Sequence, residues 1–457
     1  MLTEFKLNLI ARRAKQDKTF KFSNLMHLLN EWSLKSSFYM LKKAKAPGVD
    51  KVTLQTYEEK LDENIAELLT KMKQMSYRPQ PVRRVYIPKE NGKLRGLGIP
   101  AVEDRMVQMG MSRILEAIYE RDFPDFSYGF RPGRSCHQAL SRVDYILMRK
   151  PVNYVIDADI KGFFDNVDHE ALKECLSVRI RDQKFIRYIV RFLKSGVMEE
   201  GKYFETEKGT PQGGVISPVL ANIYLHYALD MWFEKKVKKE VEGYVELVRY
   251  ADDFIICVEK QKDAEGILDR LRRRLKKCHL ELSEEKTRLI RFGREAAKQR
   301  EEEKEKKKGS KKGSRPGTFN FLGFTHFCAK SRNGKYKVGR KTEKKRFSRS
   351  IRKVKNYLMN QRNSLKRRVL WGKVTQMLTG HYRYYGVSEN SRQLKNFYNQ
   401  VERLLVKWLN RRSQKKGFTW EKFKKYLKVH PLPLPKIYHK LPQYALILCR
   451  EQRWGAG

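Results

Sequence analysis

The sequence is short of acid: its 457 residues carry 52 Asp and Glu against 99 Lys and Arg, a formal charge of +47. Such a surplus repels itself unless it meets a polyanion. Basic residues run along the whole chain instead of gathering on one amphipathic arm, which favours nucleic acid over an anionic membrane surface. Long apolar runs are also missing. From Met1 to Phe20 charged and apolar residues alternate, so neither secretion nor a membrane span is expected, and the compartment indicated is the cytoplasm. Cysteine is sparse, and Cys136, Cys175, Cys257, Cys278, Cys328 and Cys449 never form a C-x-x-C pair, which argues against a zinc ribbon and for reduced, mostly buried thiols. No repeat of about 20–50 residues is present, which excludes a solenoid.

What is present divides the chain into segments. Phe22 to Lys43 reads as one or two helices stopped by Pro47-Gly48, and Leu61, Ile65, Leu68, Leu69 and Met72 recur at helical spacing. Val82 to Pro100 predicts two short strands joined by a turn, with Lys89, Lys93 and Arg95 nearby. Val152 to Ile160 predicts a strand with acids at its exit. Gly209 to Gly214 predicts a turn, after which Ser217-Pro218 opens a helix through Leu229. Leu247 to Val258 has the pattern of a tight hairpin with Asp252 and Asp253 at its tip, and Leu268 to Leu280 that of a basic helix. Arg294 to Gly317, almost devoid of apolar residues, predicts a disordered or partly helical surface insertion. Phe319 to Phe327 predicts a strand pair, and Phe347 to Leu370 and Leu394 to Leu409 predict basic helices with one packed face.

Asp159 at a strand end and Asp252-Asp253 at a hairpin tip are three carboxylates that a fold could bring together. Two acids at a turn are by themselves more often a capped or solvated turn. Brought together, the three repel unless cations bind, and hard oxygen ligands favour Mg²⁺. Two such ions about 3.5–4 Å apart suit an in-line displacement at phosphorus.

Several motifs in fixed order then carry a resemblance. Ala46-Pro47-Gly48-Val49-Asp50, Lys93 to Pro100, Tyr128 to Ser135, Asp157-Ala158-Asp159-Ile160-Lys161-Gly162-Phe163-Phe164-Asp165, Gly209 to Gly214, Tyr250-Ala251-Asp252-Asp253, Glu285-Lys286-Thr287, Phe321-Leu322-Gly323-Phe324 and Thr379 to Gly386 together resemble the reverse transcriptases and maturases encoded by bacterial group II introns. The resemblance covers roughly residues 35 to 440. It implies an α+β right-hand polymerase: a basic N-terminal extension (1–34), fingers (35–150), a palm (151–335) holding the charged insertion near 294–317, a mostly helical thumb or maturase domain (336–440) and a tail (441–457).

The resemblance also implies roles. Asp159, Asp252 and Asp253 are the catalytic set and, with Ile160, the metal set for two Mg²⁺ ions. Lys89, Arg95, Ile160, Phe164, Gln212 and Lys286 are expected at the nucleotide, Phe164 beneath its sugar, where a 2′-hydroxyl would collide with the ring. Arg131, Arg134, Pro211, Gly213, Gly214 and Gly323 are expected at template or primer, and His381, Arg383, Lys407 and Arg411 on the RNA-binding thumb. The implied partners are group II intron RNA, an RNA template with a DNA primer, deoxynucleoside triphosphates and target DNA. No membrane partner is implied, and with only Cys449 after His430 and His439 no zinc endonuclease module is expected. Two other readings stay open: an RNA-binding maturase that does not need its polymerase, and a reverse transcriptase domesticated for host defence or repair.

Overall fold

The computed structural model describes residues 2–41, 46–88, 94–210, 213–306, 317–412 and 417–441. Helices and three small sheets make up these residues, an α+β arrangement with a helical C-terminal region. The strands in chain order are β1 (Val82–Pro88), β2 (Leu94–Ile99), β3 (Tyr154–Asp159), β4 (Val197–Glu199), β5 (Lys202–Phe204) and β6 (Val245–Tyr250). They continue with β7 (Asp253–Val258), β8 (Arg288–Arg291), β9 (Phe319–Phe321), β10 (Phe324–Lys330) and β11 (Tyr336–Thr342).

The central sheet has the order β6-β7-β3-β8 and is antiparallel throughout. Side chains alternate across a strand, and here both faces are buried. Ile156, Ala158, Phe254 and Ile256 enter one core with Ile267, Leu271 and Leu275 of helix Gln261–Lys277. Val155, Val248, Ile255 and Cys257 enter another with Leu140, Val143 and Leu147 of helix Cys136–Arg149. Covered on both sides, the sheet offers solvent only its ends. The two segments that reach one end carry the acids.

A second sheet, β2-β1-β4-β5, forms the fingers. The expected hairpin β1–β2 is there, but β4–β5 has no counterpart in the sequence reading. Its strands are three residues long, and successive left-handed residues, Glu200 (φ 49) and Gly201 (φ 81), make the turn, the backbone twist a tight hairpin needs. The third sheet, β11-β10-β9, joins palm to thumb through Phe319, Phe321 and Phe324 in the second core.

In the thumb, helices Lys344–Gln361, Arg367–Tyr385 and Ser391–Leu409 pack around Val354, Leu358, Val374, Leu378, Phe397 and Val401. The single helix expected over 347–370 is thus two, broken after Gln361 at Asn363 and Ser364, residue types that are weak helix formers. The basic N-terminal region is helical and packed. Helix Leu2–Gln16 packs on helix Val102–Tyr119, and the buried Arg179 donates to the carbonyls of Asp17 (3.0 Å) and Ala14 (3.2 Å). Of the charged insertion, Arg294–Lys306 is helical and Ala296 is buried, while 307–316 lie outside the described residues. No helix among the described residues is long and apolar enough to cross a membrane.

Candidate active site

Asp159 closes β3, and the β3–β7 register sets it opposite Asp253. Asp252 lies in the two-residue connection between β6 and β7, beside Ala251 at φ 58. A left-handed alanine costs roughly 1–2 kcal/mol and persists only where its surroundings impose it. Here a buried network does so. Arg249, fully enclosed, donates from Nη1 to Ala251 O (3.1 Å) and to Asn222 Oδ1 (3.0 Å), and from Nε to Asp230 Oδ1 (2.8 Å). Asn222 in turn donates to Gly129 O at 2.8 Å. Gly129 presses on the turn so closely that a Cβ there would lie 2.3 Å from the Ala251 nitrogen.

Burial raises the Asp230 carboxyl, but the neighbouring Arg249 and His226 outweigh it and hold it below the usual carboxylate range. Sequence reading missed Arg249, Asp230 and Asn222. The available signal was an arginine inside the otherwise apolar run Leu247 to Tyr250, which a buried strand tolerates only with a partner.

The acids themselves are crowded. Burial, then the charges of Asp157, Asp252 and Asp159, push Asp253 up to about 7. Burial and Asp159 raise Asp252, against the opposing pull of Arg95 and Lys286. Burial also raises Asp157, against its 3.0 Å pair with Arg288. Lys286 Nζ sits 2.8 Å from Asp159 Oδ2. No three His, Cys, Asp or Glu side chains among the described residues converge into a ready-made metal nest. The donor set nevertheless fits a dication: hard carboxylate oxygens short of positive charge, one of them already neutralised by an ammonium group. The Ile160 side chain points into the core, so only its backbone is available there. The ladder bonds flanking it run from Lys161 N to Glu281 O and from Ser283 N to Asp159 O.

Between the fingers sheet and the Phe164 turn a cleft of about 710 Å³ is lined by Arg84, Arg95, Phe164, Asp165, Glu199 and Thr210 among others. Gly162, left-handed at φ 54, starts the turn that carries the half-buried Phe164. The Gly209-Thr210 segment is tied to that turn by Thr210 N to Phe164 O and Gly209 N to Val167 O, both 2.7 Å. Gly213, at φ 120, passes so near β2 that a Cβ would lie 2.4 Å from Gly98 O. The glycine-rich turn therefore bridges palm and fingers with Gly214 buried behind it. Lys89, Pro211 and Gln212 lie outside the described residues.

Elsewhere the structure redistributes the expected residues. Arg131 is buried, bonded to Glu120 (2.8 Å) and to the carbonyls of Pro124 and Ser127 (both 2.7 Å). It fastens the loop that pairs with Arg249 and presents nothing to a template. Arg134 lies 2.7 Å from the Asp125 carboxylate. Gly323, at φ 79, forms with Leu322 the tip of the β9–β10 hairpin, where the Leu322 backbone amide bonds to Asp253. His381, expected on the RNA-binding thumb, is buried: it stacks on Phe397 at 3.7 Å inside the helical core, and burial lowers its pKa to about 4. Arg383, Lys407 and Arg411 are exposed, the last two flanking Trp408.

Comparison with known proteins agrees with this geometry. Residues 87–326, more than half of the chain, match the family model described as reverse transcriptase (RNA-dependent DNA polymerase). The chain is 36% identical to the group II intron-encoded protein LtrA of Lactococcus lactis subsp. cremoris, the match covering 55% of this chain and 51% of that one, so it spans about half the length of that relative. It is 35% identical to protein YkfC of Escherichia coli (strain K12), covering 55% of this chain and 75% of that protein. It is 28% identical to nuclear intron maturase 2, mitochondrial, of Arabidopsis thaliana over 30% of this chain and 24% of that one. A palm of this register, bearing these acids within these matches, places the chain in the reverse transcriptase family, related within it to group II intron-encoded proteins.

Proposed function

We propose that the protein is an RNA-directed DNA polymerase that also binds a group II intron RNA and assists its splicing and mobility. The observation that carries the polymerase half is the pairing of Asp159 with Asp253 across β3 and β7, which gathers the acids at one end of the central sheet. Asp159 and Asp252 hold Mg²⁺, with Asp253 beside them and the Ile160 backbone within the set. When bound, two such ions supply the charge that lowers the proton affinity of a primer 3′-hydroxyl and steadies the departing pyrophosphate. The chain's own groups bind and orient. Arg95, whose charge reaches Asp252, stands on the fingers side to meet the triphosphate. Phe164 floors the sugar, and Lys286 moves from Asp159 toward the leaving phosphates. Exposed Arg383, Lys407 and Arg411 give the thumb its RNA face. The substrates are deoxynucleoside triphosphates on an RNA template with a DNA primer, and target DNA is the acceptor in mobility.

Relatives named as intron-encoded proteins and intron maturases support the splicing half. Its test combines purified protein with the flanking intron RNA at magnesium low enough to limit self-splicing, following ligated exons and primer extension together. Asp252→Asn should abolish primer extension and leave intron binding and exon ligation near wild type. Wild-type protein that extends primers but gives no acceleration of ligation at any magnesium concentration removes the splicing half.

A further inference from the structure

The palm carries a second cavity that shares no lining residue with the polymerase cleft. It measures about 990 Å³ and opens where Lys18, Arg179, the helix running on from Ser217, and helix Gln261–Lys277 meet. Its walls present eight Lys and Arg side chains against two carboxylates, Asp122 and Glu240. Both acids are engaged, Asp122 with Arg179 at 3.0 Å and Glu240 with Arg270. Arg274 is spent on the carbonyls of Tyr227 (2.7 Å) and Ala228 (2.8 Å). That leaves Lys18, Lys235, Lys236, Arg273 and Lys277, all exposed and without an ion pair among the described residues.

A feature of the backbone marks this cavity as more than a solvated charge cluster. The helix from Ser217 leaves α geometry twice, at His226–Asp230 and again at Phe233–Val237, and such π segments recur at functional sites. The first serves the catalytic turn through Asp230. The second anchors Phe233 and Val237 in the core and leaves Lys235 and Lys236 on the cavity rim, a placement that the polymerase site does not use. His226 in the cavity wall, 4% exposed, turns Nδ1 toward Asp230 at 3.8 Å and belongs with it to the network behind the catalytic turn.

The chemistry selects a class of ligand. The surface is concave, so a flat bilayer cannot follow it. Four of the five uncommitted cations are lysines, point charges suited to phosphate, whereas peptide carboxylates are best gripped by arginine forks. Trp232, half-buried at the wall, supplies an aromatic face for a base. We propose that this cavity binds the phosphate backbone of a single-stranded RNA segment that lies outside the polymerase cleft.

The test uses the full chain and a fluorescein-labelled RNA hairpin with an unpaired loop of about ten nucleotides, read by anisotropy while unlabelled template–primer saturates the polymerase cleft. Wild type should keep binding the hairpin under that competition. Lys235→Gln, Arg273→Gln and Lys277→Gln together should weaken it at least about tenfold and flatten the log-affinity against log-salt slope by about 2, the loss of three single-strand phosphate contacts. Primer extension and thermal melting should not change. Each single replacement, at an exposed position, should flatten the slope by about 0.7, which keeps the test open if the triple variant folds poorly. Complete displacement of the hairpin from wild type by template–primer overturns the proposal. So does hairpin binding by the variants within about twofold of wild type with an unchanged slope, or a loss confined to binding of phosphatidylserine vesicles. Because hairpin binding is read apart from synthesis, a wild-type protein that binds the loop without extending primers defeats only the polymerase reading.

Discussion

Phe164 stands half-buried between its core neighbour Phe163, 5.3 Å away edge-to-face, and the open cleft. A ring held in this way resists a 2′-hydroxyl by bulk alone, and size selection in a pocket is worth about 1–3 kcal/mol. Phe164→Ala should therefore raise the ratio of ribo- to deoxynucleotide incorporation efficiency by about 10- to 200-fold, measured on one template with matched nucleotides. An unchanged ratio in an active variant removes the gate. Asp253 gives a second prediction. Its folded-state pKa of about 7 lies above the ordinary 3.8, so between those values the native state holds a proton that the unfolded chain has lost. Stability without divalent cations then falls as pH rises from about 4 to 7. Asp104, also raised to about 7 by burial, acts in the same direction, so the variant Asp253→Asn isolates the effect. Urea unfolding in chelator should find its gain over wild type larger at pH 8 than at pH 5, and an equal gain at both would contradict the crowded-carboxylate picture. The hairpin that carries Asp252 and Asp253 was legible from sequence because its pattern is local. The burial of Arg131 and His381 was not, because only tertiary packing shows that Glu120 and Phe397 claim them.

At the scale of elements, the turn between β6 and β7 is held from outside itself. Removing one member of a buried ion pair strands the other and costs about 3–5 kcal/mol. Asp230→Asn should lower stability on that scale and reduce kcat more than KM, because the Ala251 carbonyl loses its oriented donor. Gly129→Ala is the finer probe, since its Cβ would meet the Ala251 backbone at 2.3 Å and displace the carboxylates. Misplacement by about 1 Å can cost about 100-fold in rate. Primer-extension kinetics of a Gly129→Ala protein with near-native melting would check this, and wild-type kcat would show that the turn is fixed by other means. The hairpins β1–β2, β6–β7 and β9–β10 were readable because apolar runs flank their turns. The β4–β5 hairpin escaped because strands of three residues have no period to detect, and the helical N-terminus escaped because its anchor, Arg179, lies far along the chain.

For the whole molecule, charge is the dominant property. With +47 spread along the chain, binding that neutralises about 5–8 duplex phosphates gives a log–log salt slope of about −4.5 to −7. Anisotropy titrations of template–primer over a range of monovalent salt should recover a slope of that order, and a nearly flat line would mean that stacking, not phosphate neutralisation, holds the substrate. The division into palm, fingers and helical thumb was visible from motif order. How the parts touch was not, and one contact matters here. Leu322, left-handed at φ 49, offers its amide to Asp253 while its carbonyl accepts from the Tyr384 hydroxyl at 3.0 Å. One residue is thus gripped at one end by the chemistry and at the other by the helix Arg367–Tyr385. A tilt of that helix would reach the carboxylate as a donor gained or withdrawn, a lever whose short arm would end on a proton.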